Sequence, residues 1–101
     1  MTTTMQMYDP PHPGEFITET YLTPFGISGR LLATHLGVSA STLARVLNGS
    51  SRVTPEMALR LGRVIGRSPE SWLAMQDAYD LWEARPKVDV STLAPVKFAV
   101  S

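Results

Sequence analysis

From Gly29 to Leu47 the apolar residues fall where two short helices, crossing steeply, would bury them together: Leu32, Leu36, Val38, Leu43, Val46 and Leu47. Ala33 is small where the second helix must come close. Gly37 stands where a sharp turn needs positive φ, which glycine reaches without steric penalty. The link from Gly37 to Ser39 has the ~3–4 residue length of a helix-turn-helix turn. Many helical hairpins carry a glycine in the turn. Far fewer add an alanine four residues before it and apolar residues one, six and nine after it. The pattern predicts a helix-turn-helix, against the competing reading of a purely structural helical corner.

Turn and cap signals place three more helices around this pair, so the expected class is all-α with five helices. Pro13 suits the first turn of a helix reaching about Leu22, with Glu15 favourable near its positive end. Thr23-Pro24-Phe25-Gly26 breaks it. Ser28 caps a second helix ending at Gly37, and Ser39 caps a third, Ala40 to Leu47, stopped by Asn48-Gly49. Thr54-Pro55-Glu56 opens a fourth that ends before Gly66. Ser68-Pro69-Glu70 opens a fifth that runs to about Ala84, before Pro86.

The chain then divides into a flexible N-terminal segment (1–11), a helical domain (12–85) and an extended C-terminal tail (86–101). Residues 1–10 are expected to be loosely held, with Met5 and Met7 as alternative starts. In the tail, Val88, Val90, Val96, Phe98 and Val100 fall largely on alternate positions, the period of a strand. Pro95 confines any strand to an edge or to two short pieces. A lone strand has nothing to pair with in an all-helical domain. The tail is therefore either irregular packing on the helices or a strand paired across a dimer.

Composition narrows the function. At 101 residues the chain is one domain, and 44% hydrophobic residues set it apart from disordered chains. The absence of cysteine excludes disulfide scaffolds, zinc fingers and thiol chemistry, and suits a reducing, cytoplasmic compartment. With two histidines, His12 and His35, no metal site and no cofactor are expected. No run of ~18 apolar residues is present to span a membrane. The start lacks the basic and apolar stretches of a signal peptide. Net charge is zero, but unevenly spread. Residues 28–68 carry +5, residues 1–27 carry −3, residues 69–85 carry −3 and residues 86–101 carry +1. A basic block thus lies between two acidic flanks, which suits DNA on one face and another partner elsewhere.

In a helix-turn-helix the N-terminal part of the second helix enters the major groove. Here that surface is Ser39, Ala40, Ser41, Thr42 and Arg45. Hydroxyls contact phosphates or bases, and Arg45 can bind guanine O6 and N7 in bidentate fashion. Arg30 and the loop Asn48-Gly49-Ser50-Ser51-Arg52 suit phosphate contacts, which set register. The block predicts DNA binding that weakens steeply with salt. Arg60, Arg63 and Arg67 are expected mostly off this face. An enzyme finds no support: His35 has no acid within a turn, and no Gly-x-Ser-x-Gly, P-loop or paired-carboxylate pattern appears.

The run Leu36-Gly37-Val38-Ser39-x-Ser41-Thr42-Leu43-x-Arg45-x-Leu47-Asn48-Gly49, followed by Val53-Thr54-Pro55-Glu56-Met57-Ala58-x-Arg60-Leu61, resembles the HigA (VapI)-type antitoxins. These belong to the Xre, phage-repressor-like (lambda repressor-like) class. His12-Pro13-Gly14-Glu15 is similar to that family's opening helix. So is Gly66-Arg67-Ser68-Pro69-Glu70-Ser71-Trp72-Leu73 with Gln76 and Ala78-Tyr79-Asp80-Leu81-Trp82. The resemblance covers roughly residues 12–90. It implies a five-helix repressor-like domain and a dimeric antitoxin. Such a protein represses its own operon at a palindromic double-stranded operator and neutralises a HigB-type, RelE-like mRNase toxin. It also implies DNA contacts by Gly29, Arg30, Ser39, Ala40, Ser41, Thr42, Arg45, Asn48 and Arg52. At Gly29 and Ala40, where repressor-like proteins often carry long polar side chains, this chain has none, leaving Ser41 and Arg45 as the better base readers. A stand-alone transcriptional regulator without a toxin fits the same motif.

The fifth helix carries two apolar stripes: Trp72, Met75, Tyr79 and Trp82, and beside it Leu73, Ala74, Ala78 and Leu81. One stripe suffices for an amphipathic helix on a monomer. Having two predicts a homodimer through the stripe of Trp72, Met75, Tyr79 and Trp82 with Val88 and Val90 of the tail, against a thick monomer core as the alternative. The acidic first helix (Glu15, Glu19) and the outer tail are the surfaces expected to meet a basic toxin.

Overall fold

Helix α1 (Pro13–Ile17) is opened by an imidazole: His12 Nδ1 accepts from the Gly14 N–H at 2.9 Å. In this computed structural model, which describes residues 9–99, the other helices are α2 (Gly29–Leu36), α3 (Ala40–Leu47), α4 (Pro55–Val64) and α5 (Pro69–Ala84). Ser28, Ser39, Thr54 and Ser68 cap them from extended backbone, each hydroxyl accepting the N–H three residues on. Each satisfies one of the N–H groups that a helix start leaves unpaired. Gly37 closes α2 at φ 73°, in the left-handed region expected of it. Five helices and no strand among the described residues make an all-α, repressor-like fold.

One boundary differs from expectation. The first helix does not stay α-helical to Leu22; Thr18–Leu22 is π-helical, and the Thr23 N–H reaches the Thr18 carbonyl at 2.9 Å. The Thr18 hydroxyl donates to the Gly14 carbonyl (3.1 Å), a local bond that competes with the regular ladder.

The core lies between the helices, built from Ile17, Leu32, Ala33, Leu36, Leu43, Val46, Val53, Met57, Ala58, Leu61 and Trp72. Val38 and Leu47 are half-buried against it. Burying each large aliphatic side chain contributes about 1.5–3 kcal/mol before entropy is set against it. α1 crosses α3 at unusually short range. A Cβ on Gly14 would lie 2.0 Å from the Val46 carbonyl oxygen and 2.7 Å from Leu47 Cα. Arg60 of α4 donates to the Leu36 carbonyl (2.8 Å) and pairs with Glu56 (2.9 Å), so it caps the end of α2.

α5 departs from the two-stripe expectation. Trp72, expected to face a second copy, is wholly buried in its own domain. Its ring meets Phe16 edge to face at 6.0 Å, and its indole N–H donates to the Gly66 carbonyl at 2.9 Å. The next buried residue on that face is polar. Gln76 is 1% exposed, accepts from the Val53 N–H at 2.7 Å and donates to Asp80 at 2.9 Å. Met75 is half-buried against the core, and Tyr79 is half-buried with its ring edge on His12 at 5.1 Å.

The N-terminal segment also differs from expectation, while the tail is extended as expected. Pro10, in the segment expected to be loosely held, is buried. Met5 and Met7 lie outside the described residues, as does Val100. The tail neither forms a strand among its described residues nor packs on the helices. Val88 and Val90 are about 60% exposed and Phe98 is 81% exposed. A strand needs a second one for its backbone groups, and the single chain supplies none.

His12 ties stability to pH. Burial lowers its pKa from the ordinary 6.5, against the pull of the Asp80 and Glu15 carboxylates. The unfolded chain then binds the proton first, so stability falls as pH drops from about 6.5 through the folded value. Protonation at Nδ1 also removes the acceptor for the Gly14 N–H. Thermal melts between pH 7 and pH 5 are expected to show this loss, and His12→Asn, which keeps a capping oxygen, is expected to flatten it. A profile unchanged in His12→Asn would count against this role.

Candidate nucleic-acid interface

The N-terminal half of α3 presents a small, polar, open surface. The Ser39 hydroxyl is engaged locally: it accepts from the Thr42 N–H (3.0 Å), donates to the Thr42 hydroxyl (2.8 Å) and lies 3.2 Å from the Ser41 hydroxyl. Thr42 is half-buried. Ala40, Ser41 and Arg45 are exposed, as is Ala44, which the sequence reading passes over. Its signal is the i, i+4 spacing from Ala40, which puts both methyls on one helix face. An exposed alanine methyl suits contact with the C5-methyl of thymine.

Two flanking elements complete this face. Gly29 and Arg30 begin α2, with Arg30 exposed. Beyond α3, Asn48 accepts from the Ser50 N–H (3.0 Å) and from the Ser50 hydroxyl. The Ser51 N–H reaches back to the Arg45 carbonyl at 2.9 Å. The loop thus curls over the end of α3 with Asn48, Gly49 and Ser50 exposed.

The six arginines of the basic block are not equivalent. Arg30 and Arg45 form no ion pair among the described residues. Arg52 is turned toward α5, where Asp80 (2.8 Å) and Asp77 (3.4 Å) accept from it. Burial pushes the Asp80 carboxyl up, but hydrogen bonds from Arg52 and Gln76 outweigh it and hold the pKa below the usual range. Arg60 is bound to the turn, as described. Arg67 stacks over Phe16 (5.1 Å) and Trp72 (5.9 Å). Of the residues expected at a dimer face, Trp82, Val88 and Val90 are exposed, joined by Leu81. Glu15 and Glu19 are exposed on the first helix.

This fold, with its open α3 and the exposed Arg30 at the start of α2, defines a repressor-like helix-turn-helix domain, and a helix-turn-helix family model (HTH_3) matches residues 19–72. An uncharacterised HTH-type transcriptional regulator of Escherichia coli K12, YddM, is 44% identical over 89 residues, 88% of this chain and 94% of that protein. An addiction-module antidote protein of the HigA family from Coxiella burnetii superposes with a TM-score of 0.82 at 34% identity, covering 89% of this chain and all of that one. The antitoxin HigA of Pseudomonas aeruginosa, solved with the higBA promoter, superposes at 0.73 with 36% identity over 77% of this chain and 85% of that one. The chain belongs to the HigA-type antitoxins of this helix-turn-helix class.

Proposed function

We propose that this chain is a dimeric DNA-binding antitoxin. It presents Ser41, Ala40 and Arg45 of α3 to the major groove of a palindromic operator, represses its own operon and neutralises a HigB-type, RelE-like mRNase toxin. The observation that carries this reading is the unengaged Arg45, one turn from Ser41 on an open α3, with a second arginine unpaired among the described residues, Arg30, exposed at the start of α2. The Pseudomonas relative solved with promoter DNA supports it. Ser39 and Thr42 act mainly through the helix cap. Gly29 offers backbone, and Asn48 offers its amide group to phosphates. The homodimer is supported by Leu81, Trp82, Val88 and Val90, which are exposed in the single chain. Two copies would set two α3 helices about 34 Å apart, one DNA turn.

The test is a gel shift with the DNA upstream of the coding frame, joined to co-expression with the neighbouring small basic protein. Retardation together with growth rescue is expected. Retardation without rescue favours the stand-alone regulator, the reading that the YddM likeness keeps in view. Only monomer at micromolar concentration in sedimentation would remove the dimer.

Arg45→Ala is expected to lose about 1–3 kcal/mol of specific operator binding, with the melting temperature unchanged because the side chain is exposed. Equal affinity of variant and wild type on the cognate site would refute base reading by Arg45. The salt response is expected to be shallower than six arginines suggest. Arg30 and Arg45, the two arginines assigned to the α2–α3 face and unpaired among the described residues, give a dimer a slope of log K against log salt of roughly −4, at about −0.9 per neutralised phosphate. A slope of roughly −5.5 or steeper would place at least one further arginine per protomer on DNA, with Arg63, exposed and unpaired among the described residues, the first candidate.

A further inference from the structure

We infer that Asp80 and Arg52 form a clamp that positions the loop after α3, so that Arg52 serves operator binding from behind rather than by touching phosphate. The inference rests on the DNA-binding reading above. Residues 48–53 are anchored at both ends. At one end the Ser51 N–H and the Ser50 hydroxyl bond to the Arg45 carbonyl at 2.9 and 3.3 Å. At the other end Arg52 Nη2 and Nε donate to Asp80 Oδ2 at 2.8 and 3.3 Å, and Nη2 reaches Asp77 Oδ1 at 3.4 Å. The next residue is fixed too, since the Val53 N–H donates to the buried Gln76, whose amide donates to the other oxygen of Asp80. Asp80 thereby holds two consecutive residues of the loop, one directly and one through Gln76.

Charge supports the same role. One guanidinium facing two carboxylates leaves that cluster net negative, a poor place for a phosphate. Arg30 and Arg45 stand clear of carboxylates among the described residues. The ion pair itself is half-exposed, so it adds little to global stability. Its effect falls on where Asn48, Gly49 and Ser50 sit relative to α3.

Asp80→Asn and Arg52→Gln, each in the full chain, separate positioning from contact. Wild-type binding to the upstream DNA is the control. If the wild type does not bind, the DNA-binding reading itself fails. With the wild type bound, Asp80→Asn is expected to weaken operator affinity roughly 5-fold. That is opposite to the gain that removal of a negative charge would give. Arg52→Gln should weaken it similarly, the double variant should be no worse than either single one, and the salt slope should stay at the wild-type value. A phosphate-contacting Arg52 would instead lower the slope by about 1 per protomer. The inference is overturned if Asp80→Asn binds as well as or better than the wild type, or if Arg52→Gln reduces the slope. It is also overturned if the affinity loss merely equals the unfolded fraction measured by circular dichroism at the assay temperature.

Discussion

Gly14→Ala is expected to destabilise the domain by about 3 kcal/mol or more, by the overpacking of a tight contact. Helix propensity alone predicts the opposite sign, since alanine inside a helix is favoured over glycine by roughly 0.5–1 kcal/mol. Geometry decides between them. The added Cβ would lie 2.0 Å from the Val46 carbonyl oxygen and 2.8 Å from the Leu47 carbonyl carbon. These are backbone atoms of α3, so no side chain can swing aside. Either α1 withdraws and opens the core at Ile17, or α3 shifts and moves the DNA-facing surface with it. The melting temperature is expected to fall by well over ~10 °C. Operator affinity of the remaining folded protein is expected to fall too, because α3 carries Ser41 and Arg45. A melt at or above the wild-type temperature would show that the two helices can separate freely.

Gly14 illustrates how much of this molecule is legible in its sequence. The motif His12-Pro13-Gly14-Glu15 stands out in the chain, but its physical reason is the backbone of α3, thirty-odd residues away. Local signals translate well. Hydroxyl caps, prolines at first helical positions and Gly37 set the helix starts and the turn, because each acts within three or four residues of itself. Long-range partners do not show in this way. Arg52 reads as a phosphate contact from its place in the basic block, yet it faces carboxylates 25 and 28 residues later in the chain. Arg60 likewise bonds a carbonyl 24 residues earlier. Gln76 is the plainest case. A polar residue between apolar stripes looks solvent-facing until the Val53 N–H it satisfies is in view. In the tail, alternate apolar residues carry the period of a strand, but a strand requires a partner that one chain does not contain.

Trp72→Ala tests where the core of α5 ends and its free face begins. The indole is wholly buried, and truncation of such a side chain costs about 3–5 kcal/mol. Two further contacts go with it: the N–H donated to the Gly66 carbonyl and the ring beneath Arg67. Arg67 holds φ 64°, an unusual backbone angle for a residue with a side chain, which this packing helps to maintain. A core residue lowers stability by the same amount at low and high protein concentration, because its contacts lie within one chain. An interface residue acts through mass action, and its effect changes with concentration. Trp82 is 39% exposed ten residues further along α5 and offers the contrast. Trp82→Ala is expected to leave the domain's own stability near the wild type while raising the dissociation constant of the proposed dimer. Melts and sedimentation over a hundredfold concentration range separate the two tryptophans. If Trp72→Ala instead weakened self-association and spared the single domain, the buried face of α5 would have been assigned to the wrong stripe.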